Sequence, residues 1–116
     1  MENLKDTVEF DILISPEQAS PEDYACECGA SNCYEAHIKP ILERLEAGEV
    51  TAWCRIEVRA TVSDTDISAS DYLGFCSFES KEAFQASSKY AQMKETTFKA
   101  LGALVAYYRA RLSLIA

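Results

Sequence analysis

Between Val50 and Val62 the side chains alternate with little interruption: Ala52, Cys54, Ile56, Val58, Ala60 and Val62 share one side, Trp53, Arg55, Glu57, Arg59 and Thr61 the other. A strand sends successive side chains to opposite faces, so this run specifies a β-strand whose apolar face has to be covered. Ser63-Asp64-Thr65-Asp66 supplies a turn, and Ile67 to Phe78 returns as an antiparallel partner. That second run is apolar on both sides, with Tyr72, Cys76 and Phe78 against Leu73 and Phe75, and it asks for cover on two faces. The register centred on the turn sets Arg59 opposite Asp71 and Cys54 opposite Cys76. Thr7 to Ile14 alternates in the same way, Val8, Phe10, Ile12 and Ile14 against Glu9 and Asp11, and predicts a third, half-buried strand.

The remaining periodic segments step by three and four. Tyr34, Ile38, Ile41, Leu42 and Leu45 predict a helix, with Asn32 and Glu35 spaced as a capping box and Gly48 as its stop. Pro40 lies inside that pattern, where a proline removes a hydrogen bond and clashes one turn back, so a kink or a fresh start is expected there. Ser80 is placed to cap the next helical segment. Phe84, Ala91, Phe98, Val105 and Leu112, joined by Leu101 and Tyr108, mark an amphipathic stripe that Ser87-Ser88 and Lys94 interrupt. The stripe predicts a short helix, a break and a main helix from about Ser88 to Leu112. The sum is an α+β fold: a small antiparallel sheet of about three strands, packed with a short helix and a long C-terminal helix.

With 116 residues, 48% of them hydrophobic and 26% charged, the chain has the size and composition of one globular domain, residues 1–116. No signal-peptide pattern opens it, and its longest apolar run, Leu101 to Tyr108, is too short to cross a bilayer. A cytoplasmic protein with no membrane partner is expected, its five cysteines reduced. The net charge of −8 is unevenly placed: Met1 to Glu49 holds twelve acids and three bases, Val50 to Ala116 seven acids and eight bases. Phosphate backbones repel such a chain, whereas a basic protein surface attracts its first half.

Cys26, Cys28, Cys33 and His37 fall within a dozen residues in the order C-x-C-x4-C-x3-H, the donor set of a closed, structural zinc site. A helix starting near Cys33 would put that thiol and His37 one turn apart, and Gly29 would let Cys26 and Cys28 fold back toward them. Cys54 or Cys76 is the alternative fourth ligand, and a loop of unmetallated thiols the alternative to a site. The C-x-C-G-x3-C segment resembles the post-SET zinc motif of histone lysine methyltransferases; the resemblance implies zinc ligation by Cys26, Cys28 and Cys33, and no methyltransferase activity. Elsewhere, Cys54 and Cys76 are expected as small buried thiols.

Catalytic signatures do not assemble. No P-loop, dinucleotide fingerprint or His-Glu-x-x-His occurs, and one histidine would have to serve any nucleophile. Trp53, Arg55 and Arg59 on one strand face have the basic-aromatic character of a single-strand nucleic-acid platform, opposed by Glu57 and Asp71. Ala52-Trp53-Cys54-x-Ile56-x-Val58-x-Ala60, Asp71-Tyr72-Leu73-Gly74, Cys76-Ser77-Phe78 and Tyr90-Ala91-x-Met93-Lys94 together resemble small uncharacterised α+β proteins of phages, prophages and plasmids. That resemblance implies a mobile-element context in a bacterial host. The expected function is a non-catalytic, zinc-stapled acidic protein that inhibits a bacterial nucleic-acid-targeting defence system such as CRISPR-Cas. Glu17, Glu22, Asp23 and Glu27 would dock on a basic protein complex of the host. The alternatives are a nucleic-acid-binding module using Trp53, Arg55 and Arg59, and a small zinc-dependent enzyme; a homodimer through the C-terminal helix is a further expected partner.

Overall fold

A computed structural model describes residues 7–21 and 37–115, with side chains as far as Leu112. The element order is β1 (Val8–Pro16), α1 (Lys39–Glu46), a 3-10 turn (Val50–Ala52), β2 (Cys54–Val62), β3 (Ser68–Cys76), α2 (Lys81–Gln85) and α3 (Ser88–Ile115). The three strands form one antiparallel sheet in the order β1-β2-β3, and with the short and long helices they make the α+β arrangement expected. Along β1 exposure alternates as the sequence does, Glu9 and Asp11 out, Phe10 and Ile12 partly covered.

The chain divides into two compact units. The first takes its described residues from Met1–Leu13, Glu57–Tyr72 and Ser88–Ala116, the second from Ile14–Ile56 and Leu73–Ser87.

In the first unit Val58 and Ala60 of β2 and Met93, Thr97 and Leu101 of α3 are fully or almost fully buried. The Ser63 amide donates to Thr7 O at 2.7 Å, tying the start of β1 to the end of β2. Lys94 sets its ammonium 4.6 Å from the Tyr90 ring centroid and 6.0 Å from that of Phe10. At 28 residues α3 runs about 42 Å at 1.5 Å per residue. The line it buries differs from the expected stripe: Ala91 and Leu112 are exposed, and Thr97 is in the core. A threonine can be buried there because its hydroxyl donates to Met93 O and Lys94 O, both at 3.0 Å, and so needs no outside partner.

In the second unit the helix expected from Tyr34 onward is described from Lys39, with Pro40 in its first turn, where the missing N–H has no intrahelical partner to lose. Its end is a Schellman closure. The Glu49 amide donates to Arg44 O and the Gly48 amide to Leu45 O, both at 3.0 Å, with Gly48 at φ 87°, a conformation open to glycine at little cost. The strand expected from Val50 begins only at Cys54, because Ala52 N and Trp53 N donate back to Glu49 O and Val50 O and coil the first three residues. Ser80 caps α2 by accepting from Ala83 N at 3.0 Å, and Phe84 packs its ring edge-on to Phe78 at 5.0 Å. The break before α3 is made by Ser87, whose amide and hydroxyl both donate to Phe84 O.

Candidate functional site

The chemistry-bearing side chains of the second unit meet where β2 begins and β3 ends. Cys54 opens β2 and Cys76 closes β3, and their sulfurs lie 3.6 Å apart, as cross-strand neighbours should. Cys76 Sγ is also 3.2 Å from Cys54 O and 3.8 Å from Leu73 O, so its one proton has three acceptors within reach. Cys54 is fully buried and Cys76 half-buried. The hydrogen bond from Cys76 holds the Cys54 thiol below the ordinary cysteine range, with a smaller contribution from the Arg44 charge, against the opposing effects of burial and the Glu17 carboxylate. Donating that bond pushes Cys76 up, and burial and the nearby negative charges add to the shift.

Glu17 closes the site from β1's side of the unit. Its backbone amide donates to Trp53 O at 3.3 Å, its Oε2 accepts from Phe75 N and its Oε1 from Gln18 N, both at 3.1 Å. The approach is close: a Cβ on Gly74 would stand 3.4 Å from Glu17 Oε2. Phe75 is held at φ 50°, a left-handed conformation that costs a bulky residue roughly 1–2 kcal/mol, and the carboxylate on its amide helps to keep it there. Its ring lies 6.1 Å from that of Trp53. On the other side Arg44 Nη2 donates to Phe78 O at 2.8 Å, Glu79 O at 3.1 Å and Thr51 Oγ1 at 3.4 Å, while its Nε pairs with Glu49 at 3.3 Å. One guanidinium thus joins the end of α1 to the chain leaving β3.

The expected site residues are distributed unevenly over this picture. Cys26, Cys28 and Cys33, and with them Glu22, Asp23 and Glu27, lie outside the described residues; His37 is exposed, just ahead of α1. Among the described residues no three His, Cys, Asp or Glu side chains gather so as to hold a metal ion. Glu17, expected as an outward docking carboxylate, is turned to backbone amides instead, since two N–H donors near the strand ends require an acceptor.

The strand-face platform is also corrected. Trp53 precedes β2, is 4% exposed and donates its indole N–H to Ala19 O at 2.7 Å, so it presents no open face on which a base could stack. Arg59 is engaged by Glu57 at 3.0 Å, whose carboxylate also accepts from Ser70 Oγ at 2.6 Å; Arg55 stays exposed.

The first unit contains an apolar hollow of about 380 Å³ lined by Val62, Ile67, Val105, Tyr108, Arg109 and Leu112, among others.

Comparison of the chain with protein-family models, with curated proteins and with solved structures finds no match.

Proposed function

We propose that this chain is a non-catalytic acidic binding protein that acts on a basic surface of a protein complex in the bacterial cytoplasm. The surface it would occupy is one that normally holds nucleic acid, as an inhibitor of a nucleic-acid-targeting defence system would require. The supporting observation is where the negative charge stands. Of the six described acids between Thr7 and Glu49, five, namely Glu9, Asp11, Glu43, Glu46 and Glu49, are exposed, and only Glu17 is turned inward. Exposed like charges steer association with an opposite surface and raise its on-rate. The zinc staple belongs to this reading as a structural element: Cys26, Cys28, Cys33 and His37 would close one tetrahedral ion and fix the acidic segment before α1.

The test replaces Glu43 and Glu46 by Lys on α1, two exposed sites where the fold should survive. Against a complex captured from bacterial lysate the on-rate should fall about tenfold at low ionic strength, and the difference should shrink as salt rises. An unchanged on-rate would remove the charge-steered reading. Elemental analysis of protein purified without chelator should find about one zinc per chain, as a closed four-ligand site requires; metal-free folded protein would remove the staple.

A further inference from the structure

We infer that Cys54 and Cys76 form a redox modification site, a dithiol that hydroperoxides convert to a cross-strand disulfide between β2 and β3. The geometry carries this. Two thiols 3.6 Å apart are already in van der Waals contact, and closing to a disulfide of about 2 Å draws the sulfurs together by roughly 1.6 Å. They occupy the first residue of β2 and the last of β3, where the ladder finishes. Next to Cys76, Phe75 already departs from strand geometry at φ 50°. The environment is asymmetric in the useful sense: Cys54 is sealed, and Cys76 is the sulfur an oxidant in solution can reach. Trp53 and Arg44 fix the segments on either side, through Ala19 O and through Phe78 O, Glu79 O and Thr51 Oγ1. The pair is therefore held in register whether or not it is bonded.

The steps balance. Loss of one proton leaves the pair with a single proton between two sulfurs; it rests mainly on Cys76 with the negative charge on Cys54, and its transfer across the 3.6 Å contact gives the minor form, Cys54 protonated and Cys76 a thiolate, whose sulfur the oxidant can reach. That thiolate attacks one oxygen of the hydroperoxide, an S–O bond forms, the O–O bond breaks, and the departing alkoxide or hydroxide takes up a proton as alcohol or water. Cys76 is then a sulfenic acid. The Cys54 sulfur attacks the Cys76 sulfur, the S–S bond forms, and hydroxide leaves with the Cys54 proton as water. Two thiols have lost two electrons and two hydrogens, and one hydroperoxide has been reduced. A small dithiol reductant reverses the bond by exchange. Since the thiolate is the nucleophile, the reaction should quicken as pH rises toward the ordinary cysteine range.

The experiment treats the full chain with one equivalent of hydrogen peroxide, blocks free thiols, and digests it under non-reducing conditions with a protease that cuts after Lys and Arg. Cys54 falls in the peptide 45–55 and Cys76 in 60–81, while Cys26, Cys28 and Cys33 stay together in 6–44, because the bond after Lys39 precedes proline. The expected product is 45–55 joined to 60–81, lighter by two hydrogens than the sum of the two and separated by dithiothreitol. Cys54→Ser should abolish the link and leave Cys76 as sulfenic or over-oxidised acid, trapped by a sulfenic-acid reagent. Oxidation confined to 6–44, or Cys54 and Cys76 recovered as free thiols in the wild type, would overturn the proposal. So would a link from either of them to 6–44. Refolding is not assumed: circular dichroism before and after reduction should coincide, and loss of the native spectrum before the link appears would also count against a site built into the fold.

Discussion

The two units hold themselves together by different means. In the first, Val58, Ala60, Met93, Leu101 and a self-satisfied Thr97 make a core by burial, of which the strand alternation points at Val58 and Ala60 and the helical stripe at Leu101 alone. In the second, a short apolar set, Ile38, Ala52, Trp53, Ile56 and Phe84, is supplemented by directed bonds from Arg44, Glu17 and the two thiols. Apolar packing tolerates displacement and loses free energy with area. A polar tie is worth little until one partner is removed, and then the other is stranded.

Truncating the first core should produce the largest effect: Leu101→Ala removes a fully buried side chain and should cost about 2–5 kcal/mol, read from urea denaturation with unchanged slope. In the second unit, Arg44→Met keeps the aliphatic stem and strands the part-buried Phe78 carbonyl while water can reach Glu79 O, and a loss of about 1–2 kcal/mol is expected. Its signature is local. Hydrogen exchange at the Phe78 amide, which donates to Thr51 O at 2.8 Å, should accelerate while amides of α3 stay protected. If both variants loosen α3 equally, the distinction between the units fails. Phe75→Gly relieves the left-handed strain and gives up the Trp53 contact, so a net change within about 1 kcal/mol of zero is expected, with a gain if strain outweighs the ring pair.

The smallest effect is electrostatic and belongs to the first unit. Burial, and then the Asp11 charge, raise the Tyr90 phenol above its ordinary value. A phenol held protonated in the fold contributes fully below its unfolded pKa and progressively less as pH climbs to the folded one. Stability should therefore decline with pH above about 10, and Tyr90→Phe should flatten that decline, as measured by alkaline denaturation midpoints.

The contrast also explains how much of the fold is legible in the sequence. The alternation through Cys54–Val62, the cap at Ser80 and the stop at Gly48 are local, and each is where the sequence puts it. Thr97 escapes a hydropathy reading because its polarity is cancelled by carbonyls of its own helix. Val50–Trp53 continues the alternation and still coils, since Ala52 and Trp53 find acceptors three residues back. Arg44 looks like any polar-face helix residue; the carbonyls it holds are 34 and 35 positions away, and no periodicity spans that interval. The Cys54–Cys76 contact is legible because a hairpin register predicts it, but its neighbours Glu17 and Arg44 are not.

The strand order has a consequence in time. β2 and β3 are joined by a short turn, whereas β1 must close a loop spanning residues 17–53 before it can pair with β2. Loop closure becomes dearer with length, so the hairpin should form first and the N-terminal strand dock last. During synthesis the sequence of events is reversed in supply: β1 emerges first and, at ~5–20 residues per second, waits several seconds for its neighbour. In that interval it is an unpaired strand, and the outward carboxylates of Glu9 and Asp11 give two such waiting chains a reason to repel each other.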